Sequence, residues 1–150
     1  MTGKLRSLGV WIGGAGLIAA VVIDTLAVIG RNLGTPIVGS IELIQAAVLV
    51  SGIVGLVLAT AKDEHARVRI ITERFPRWRR LFDLIGSAAM VLLFGALLAG
   101  STWLAADLWT GHEQSELVGV PWAVLRLIAN AGLTICLAMA LAGLFRRARE

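Results

Sequence analysis

The stretch IELIQAAVLVSGIVGLVLATA, residues Ile41–Ala61, decides the fold class of this chain. It holds 21 residues, and its only charged side chain, Glu42, is the second of them. A helix rises about 1.5 Å per residue, so about twenty residues cross a hydrocarbon core of about 30 Å. Length and composition therefore predict a membrane-spanning helix.

Three further stretches have the same apolar character. They run over residues 8–29, 81–109 and 121–145, which makes four spans in all. Backbone N–H and C=O groups in lipid must bond within the chain, so each span is expected to be helical. The alternation typical of a membrane β-barrel is absent. The sequence predicts an all-α membrane protein, with residues 1–150 forming one domain of four transmembrane helices.

The overall composition supports the same class. Apolar residues make up 57% of the chain and charged residues 16%, against about 45–50% and about 25% in soluble proteins. A water-soluble fold of this size could not bury so much apolar surface. The one cysteine, Cys136, excludes an internal disulfide framework and a multi-cysteine metal site.

The segment KDEHARVRIITERFPRWRR, residues 62–80, carries ten charges in nineteen residues, seven of them Lys or Arg. With the two ends of the chain, it contains twelve of the fourteen basic residues, all on one side of the predicted membrane. The positive-inside rule therefore predicts that both termini are cytoplasmic. No aromatic-interleaved basic surface accompanies this charge, so a nucleic-acid partner is not expected.

Within this segment we predict a basic amphipathic arm over 64–78, between helices 2 and 3. Val68, Ile71, Phe75 and Trp78 recur at helical spacing among the arginines, as in helices that lie in the membrane interface. A solvated linker is the open alternative. The residues predicted to contact anionic lipid headgroups are Arg67, Arg74, Arg77 and Trp78.

Small residues in the first two spans favour close helix packing. They are Gly13, Gly14 and Gly16 in the first span and Gly52 and Gly55 in the second. Glycine lets two helix backbones approach in a membrane, although it does not identify the neighbour.

Toward the outer side, five charged residues lie within the spans or beside them: Asp24, Arg31, Glu42, Asp107 and Arg126. Such charges are costly in lipid unless they are paired or wetted. We predict intramembrane pairs of Arg126 with Asp24 or Asp107, and a pair of Arg31 with Glu42. These pairs either hold the helices together or face a partner protein.

The residues of catalysis and cofactor binding are missing from the pattern. His65 and His112 fall on opposite sides of the membrane and cannot share a haem or a metal ion. No phosphate-binding loop, nucleophile–base pair or carboxylate dyad is present. We therefore predict no enzymatic activity and no cofactor, and the lack of paired intramembrane histidines disfavours a redox-enzyme anchor.

Three segments resemble one family. They are RNLGTPIVGSIEL at Arg31–Leu43, EHARV at Glu64–Val68 followed by Phe-Pro at 75–76, and GVPW at Gly119–Trp122. In this order, on four spans, they are similar to the small membrane subunit of tripartite ATP-independent periplasmic (TRAP) transporters. The similarity extends over nearly the whole chain.

The resemblance implies a role that composition cannot show. In this family a periplasmic binding protein delivers a substrate, often a carboxylate, to a large and a small subunit in the bacterial inner membrane. The large subunit carries the substrate and ion sites, and the small one is a scaffold. The resemblance places Arg31 and Glu42 near the periplasmic docking face, and Glu64, His65 and Arg67 on the cytoplasmic side as a brace for the complex.

A self-sufficient four-helix transporter, acting as a homodimer, is the main alternative. It would need one essential acid, and Asp24 is the candidate. The position of Asp24 near a helix end and the long basic arm favour the scaffold interpretation. Neither the transported substrate nor the coupling ion can be inferred from this sequence.

Overall fold

The computed structural model describes residues 3–62, 79–107, 119 and 122–149. All regular structure in these ranges is α-helical. The four helices are α1 (Gly3–Asn32), α2 (Ser40–Ala61), α3 (Arg79–Asp107) and α4 (Trp122–Arg149). The predicted arm, 64–78, lies outside the described residues.

Each helix is long and apolar enough to cross a membrane. The prediction of four spanning helices is therefore confirmed. The first and last helices are longer than the apolar runs that predicted them. α1 begins at Gly3 and α4 continues to Arg149, because a helix need not stop where the lipid does. Three arginines lie in the last turn of α4, where positive charge suits the negative end of the helix dipole.

A tight turn joins α1 to α2. The amide of Gly34 donates to the carbonyl oxygen of Arg31 at 3.3 Å, and the amide of Thr35 donates to that of Gly30 at 2.8 Å. This is the paired hydrogen bonding of a Schellman motif, which requires a left-handed residue after the helix. Gly34 supplies it with φ of 74°. Gly39, with φ of 78°, then precedes the first residue of α2.

The helices pack in the spatial order α1, α2, α4, α3. α1 is antiparallel to α2, since Gly9 lies against Leu58 and Gly13 against Val54. α3 is antiparallel to α4, because side-chain hydrogen bonds join them near both ends. The N-terminus of α1 and the C-termini of α2 and α4 therefore lie at one end of the molecule, called here the terminal end. The α1–α2 turn lies at the other end, called the turn end.

α1 contacts the rest of the chain along a single stripe of small residues. Every residue of α1 that is not exposed lies on this stripe, and all others in the helix are exposed. Its members, spaced alternately four and three residues apart, are Gly9, Gly13, Gly16, Ala20, Ile23, Ala27 and Gly30. We call it the α1 seam. Alternation of three and four keeps one face of a helix against its neighbour over its whole length.

The core lies between α3 and α4. Phe94 of α3 is 1% exposed, and Cys136 of α4 is fully buried beside Leu133 and Ala140. α2 closes this core with partly buried aliphatic side chains, among them Ile53. The contact is close because Gly132 of α4 has no side chain. A Cβ there would overlap the side chain of Ile53.

Most of the remaining helix surface is apolar and open. Trp11 is 76% exposed and Leu92 is 74% exposed. In each helix less than a quarter of the most apolar stretch is buried within the chain. Such surface is not stable in water, so lipid or another membrane protein must cover it.

Candidate functional site

Arg31 and Glu42 flank the α1–α2 turn, as the sequence predicts. Arg31 lies in the last turn of α1, and Glu42 lies in the first turn of α2. Each charge suits the dipole of its own helix end. Arg31 is exposed, and its pair with Glu42 stays a prediction. Glu42 is half-buried.

The charges within the spans are placed apart from one another. Asp24 is exposed on α1, and Asp107 is exposed at the end of α3. Within the described ranges neither carboxylate makes a hydrogen bond or an ion pair. Arg126 is half-buried on α4. α2 lies between α1, which carries Asp24, and α4, which carries Arg126, and the pairing of Arg126 with an acid stays a prediction.

At the terminal end, a polar contact joins α3 to α4. The guanidinium of Arg147 donates to the hydroxyl of Ser87, and that hydroxyl donates to the carbonyl oxygen of Asp83 at 2.8 Å. Ser87 is 3% exposed. A buried hydroxyl with both a donor and an acceptor is fully satisfied, so the contact stabilises this end of the helix pair.

A second polar contact joins the same helices toward their other end. The hydroxyl of Ser101 on α3 donates to the side-chain oxygen of Asn130 on α4 at 2.5 Å. Fourteen residues of α3 separate Ser87 from Ser101, which is about 21 Å of helix. The two contacts therefore fix the angle and register of α3 on α4 over most of a membrane thickness.

Sequence reasoning missed these contacts for two different reasons. The predicted intramembrane pairs join charged residues, whereas three of the side chains in these contacts are neutral: Ser87, Ser101 and Asn130. Arg147 belongs to a basic cluster that already had an interpretation as a topology signal. A scan for neutral polar residues at matching depths in the third and fourth spans would have suggested the first contact.

No catalytic or metal-binding geometry occurs in the described part of the chain. The described ranges hold no group of three or more His, Cys, Asp or Glu that could bind a metal ion. Cys136 is a free thiol enclosed in the core, with Thr60 as its side-chain hydrogen-bond partner. In the described part of the chain, the polar side chains that the structure organises either join two helices or carry a charge at a helix end.

Several predicted residues fall outside the described ranges. They are Glu64, His65, Arg67, Arg74, Arg77 and Trp78. Their assigned roles as a brace or as headgroup contacts therefore stay predictions. In the third motif, Gly119 is described and has φ of 71°. A side chain at that position would be strained, which explains a glycine there.

Comparison with known protein families finds a match over nearly the whole chain. Residues 10–150 match the family described as "Tripartite ATP-independent periplasmic transporters, DctQ component". The chain belongs to this family. A search of the curated proteins finds no match to it. The four spanning helices agree with this assignment, since both indicate a multi-pass membrane protein.

Membership in the DctQ family confirms the resemblance that the three sequence motifs indicated. It identifies the chain as a small membrane component of a TRAP transporter. A component of that kind works with other TRAP components.

Proposed function

We propose that this DctQ-family chain is a non-catalytic scaffold that packs on the large transport subunit. In this proposal it also helps a periplasmic substrate-binding protein to dock. The complex takes up an organic anion, such as a carboxylate, and an ion gradient drives the uptake. The chain lies in the bacterial inner membrane with both termini in the cytoplasm.

One observation carries the scaffold role, namely the distribution of buried and open surface. The described interior around Phe94 and Cys136 is closely packed and apolar. A transport path needs polar groups that bind and release a substrate or ion. The buried hydroxyls of Ser51, Thr60 and Ser87 in the described interior instead donate to backbone carbonyls of their own helices. The outer surface, by contrast, is open along much of α1 and α2.

The charge distribution supports the proposed orientation. Lys4 and Arg6 in the first turns of α1 and the arginines in the last turn of α4 lie together at the terminal end. A cytoplasmic terminal end follows the positive-inside rule. The turn end, with Arg31 and Glu42, then faces the periplasm.

Co-purification tests the scaffold role. We expect a tagged chain, extracted in mild detergent, to carry a much larger multi-span protein in fixed stoichiometry, as read by intact mass. Anion uptake into liposomes should require both proteins. A lone monomer or homodimer that transports by itself would contradict the proposal and would favour a self-sufficient transporter that depends on Asp24.

Charge reversal tests the docking role of the turn end. We expect Arg31→Glu and Glu42→Lys to reduce uptake while the large subunit still co-purifies. Arg149→Glu is the matched control, because it reverses an exposed arginine at the opposite end. Unchanged uptake and assembly in both turn-end variants would refute this role.

The role of the segment after α2 rests on family resemblance. We expect His65→Ala to lower the yield of the complex, because Glu64, His65 and Arg67 would brace its cytoplasmic side. Full complex yield in His65→Ala would show that this brace is not needed.

A further inference from the structure

Three charged or amide side chains on the exposed surface of the spans have no partner among the described residues: Asp24 on α1, Gln45 on α2 and Asp107 on α3. Asp107 is the last residue of its helix, whereas Asp24 and Gln45 lie further within theirs. The exposed threonine hydroxyls within the spans are bonded to their own helix. Thr25 donates to the carbonyl of Val21 at 2.7 Å, and Thr134 donates to that of Asn130 at 2.7 Å. Thr102 likewise donates to Leu98 at 2.8 Å.

Asp24 and Gln45 lie on the same side of the α1–α2 pair. Asp24 directly follows Ile23, which lies on the α1 seam. On α2, the residues Ile44, Ala47 and Ser51 form the stripe that faces this seam. Gln45 directly follows Ile44. In an antiparallel pair, the residues that directly follow the facing residues lie on one side of both helices.

The two groups also lie at nearly the same depth. Gly16 lies against Ser51. Because the helices are antiparallel, each residue further along α1 lies level with a residue one position earlier in α2. This register places Asp24 level with Leu43 of α2. Gln45 is then two residues deeper, or about 3 Å.

The surface beside them includes two glycines. α2 is exposed only along one stripe between Ile41 and its C-terminal end, and that stripe includes both Gly52 and Gly55. No atom of the described residues lies within 4 Å of a Cβ added at either glycine. We call this surface the open face. Its residues are Leu17, Asp24, Gln45, Val48, Gly52 and Gly55.

From this arrangement we infer that the open face binds one membrane-spanning helix of the large subunit, which carries an Arg or Lys level with Asp24 and Gln45. This inference rests on the proposed scaffold function. A carboxylate and an amide at this depth need a partner that lipid tails cannot supply. A cation hydrogen-bonded to Asp24 supplies both charge and hydrogen bonds, and the two glycines let its helix approach closely.

Two other occupants fit the charge less well. Phospholipid phosphates are negative, so they repel Asp24. A second copy of this chain, related by a twofold axis along the membrane normal, would present its own Asp24 and Gln45 at the same depth. The acid would then face an acid. A basic residue on a different protein meets neither objection.

The exposed surface of α3 provides the contrast. Leu92 and Leu93 are exposed at the middle of that helix, and their exposed neighbours Ala89, Ala96 and Leu97 are also apolar. A surface of this kind is satisfied by lipid. The two surfaces therefore differ in chemistry, and the difference defines a test.

Site-specific photo-crosslinking in the assembled complex tests the inference. A photoreactive residue replaces Gln45 or Val48 on the open face, and Leu92 or Leu93 on α3, with the large subunit co-expressed. We expect adducts with the large subunit from positions 45 and 48 and none from 92 and 93. Large-subunit adducts from 92 and 93 alone, or equally from both surfaces, would overturn the inference and leave the scaffold function intact.

Other adducts separate the remaining outcomes. Adducts between two copies of this chain would overturn the inference in favour of a homodimer contact. Absence of large-subunit adducts from all four positions would overturn the inference, and with absence of co-purification it would overturn the scaffold function as well.

Two pairs of variants give an independent readout. We expect Gly52→Leu to reduce recovery of the large subunit by at least about tenfold, as expected when a close helix contact is blocked. Gly100→Leu on α3 should leave recovery unchanged, since both glycines are exposed with open space around them. Asp24→Lys should reduce recovery more than Asp24→Asn. Equal recovery in Gly52→Leu and Gly100→Leu would contradict the inference.

Discussion

Arg147 of α4 donates a hydrogen bond to the hydroxyl of Ser87 on α3, sixty residues earlier in the sequence. The hydroxyl is buried, and it donates a hydrogen bond to the carbonyl oxygen of Asp83 within α3. Side chains on a helix lean toward its N-terminus, so Arg147 reaches back from the terminal end toward the apolar region. The arginine therefore links the two helices instead of extending away from the lipid.

We expect Ser87→Ala to lower the free energy of unfolding by about 2 kcal/mol, the usual scale for a hydrogen bond to a charged group. Arg147→Ala should cost a similar amount, and the double variant should cost less than both together. Thermal unfolding in detergent, followed by tryptophan fluorescence, measures the change. Arg146→Ala is the control, because Arg146 is exposed beside it. An equal loss in Arg146→Ala would show that only the charge of the cluster matters.

Gly132 controls the distance between α2 and α4. A Cβ at this position would overlap Ile53, so Gly132→Ala should destabilise the chain by about 1–3 kcal/mol, the range for overpacking. Removal of the opposing side chain in Gly132→Ala/Ile53→Ala should recover part of that loss. The measurement is the midpoint of unfolding for each single variant and the double variant.

The control for this prediction lies on the same helix. Gly143 has open space where a Cβ would be, so Gly143→Ala should be neutral or stabilising by up to about 1 kcal/mol through helix propensity. Destabilisation of both glycine variants to the same degree would point to a general effect of alanine and not to the contact with Ile53.

The number and position of the helices followed from the sequence because lipid leaves the backbone little choice. An apolar run of twenty residues such as 41–61 must form a helix that satisfies its own hydrogen bonds. The chemistry of the turn was also visible, since Gly34 and Gly39 have the left-handed φ values that glycine favours.

The packing order of the helices could not be predicted, because the four apolar spans have similar sequences and surfaces. Gly13 and Gly14 are adjacent, yet only Gly13 lies against α2. Gly52 and Gly55 were expected to allow close approach, and no described residue lies within 4 Å of a Cβ added at either position. The three-and-four spacing from Gly9 to Gly30 was present in the sequence and would have revealed the α1 seam.

The partners of the intramembrane charges could not be predicted from depth alone. Asp24 and Arg126 have opposite charges at similar depth, which made a pair plausible. Depth is only one of two coordinates in a membrane. The spatial order of the helices is the other, and α2 separates the helices that carry them.

Gly34 should tolerate asparagine better than other substitutions. Its φ of 74° costs about 1 kcal/mol or more for most side chains, whereas asparagine adopts this region with less strain. We expect Gly34→Asn to unfold near the wild-type temperature and Gly34→Val to unfold at a lower temperature. Space is not the limit here, because among the described residues no atom lies within 4 Å of a Cβ at Gly34. A Gly34→Val variant as stable as Gly34→Asn would rule out backbone strain as the reason for glycine.

Gly16 holds α1 close to α2. A Cβ on Gly16 would overlap the hydroxyl of Ser51 and lie 3.3 Å from the carbonyl oxygen of Ala47. We expect Gly16→Ala to destabilise the chain by about 1–3 kcal/mol, the scale of a core overlap. Ser51→Ala removes the hydroxyl, so Gly16→Ala/Ser51→Ala should regain most of the loss.

Gly14 is the matched control for this interface. It lies two residues from Gly16 on the same helix, and no atom in the described part of the chain approaches its Cβ position within 4 Å. Gly14→Ala should leave the unfolding midpoint unchanged or slightly higher, because alanine favours a helix. The test compares the unfolding midpoints of Gly14→Ala, Gly16→Ala, Ser51→Ala and Gly16→Ala/Ser51→Ala in one detergent. If Ser51→Ala fails to rescue Gly16→Ala, the obstacle is the backbone of α2 at Ala47, and the α1 seam is then fixed by contact between the two backbones.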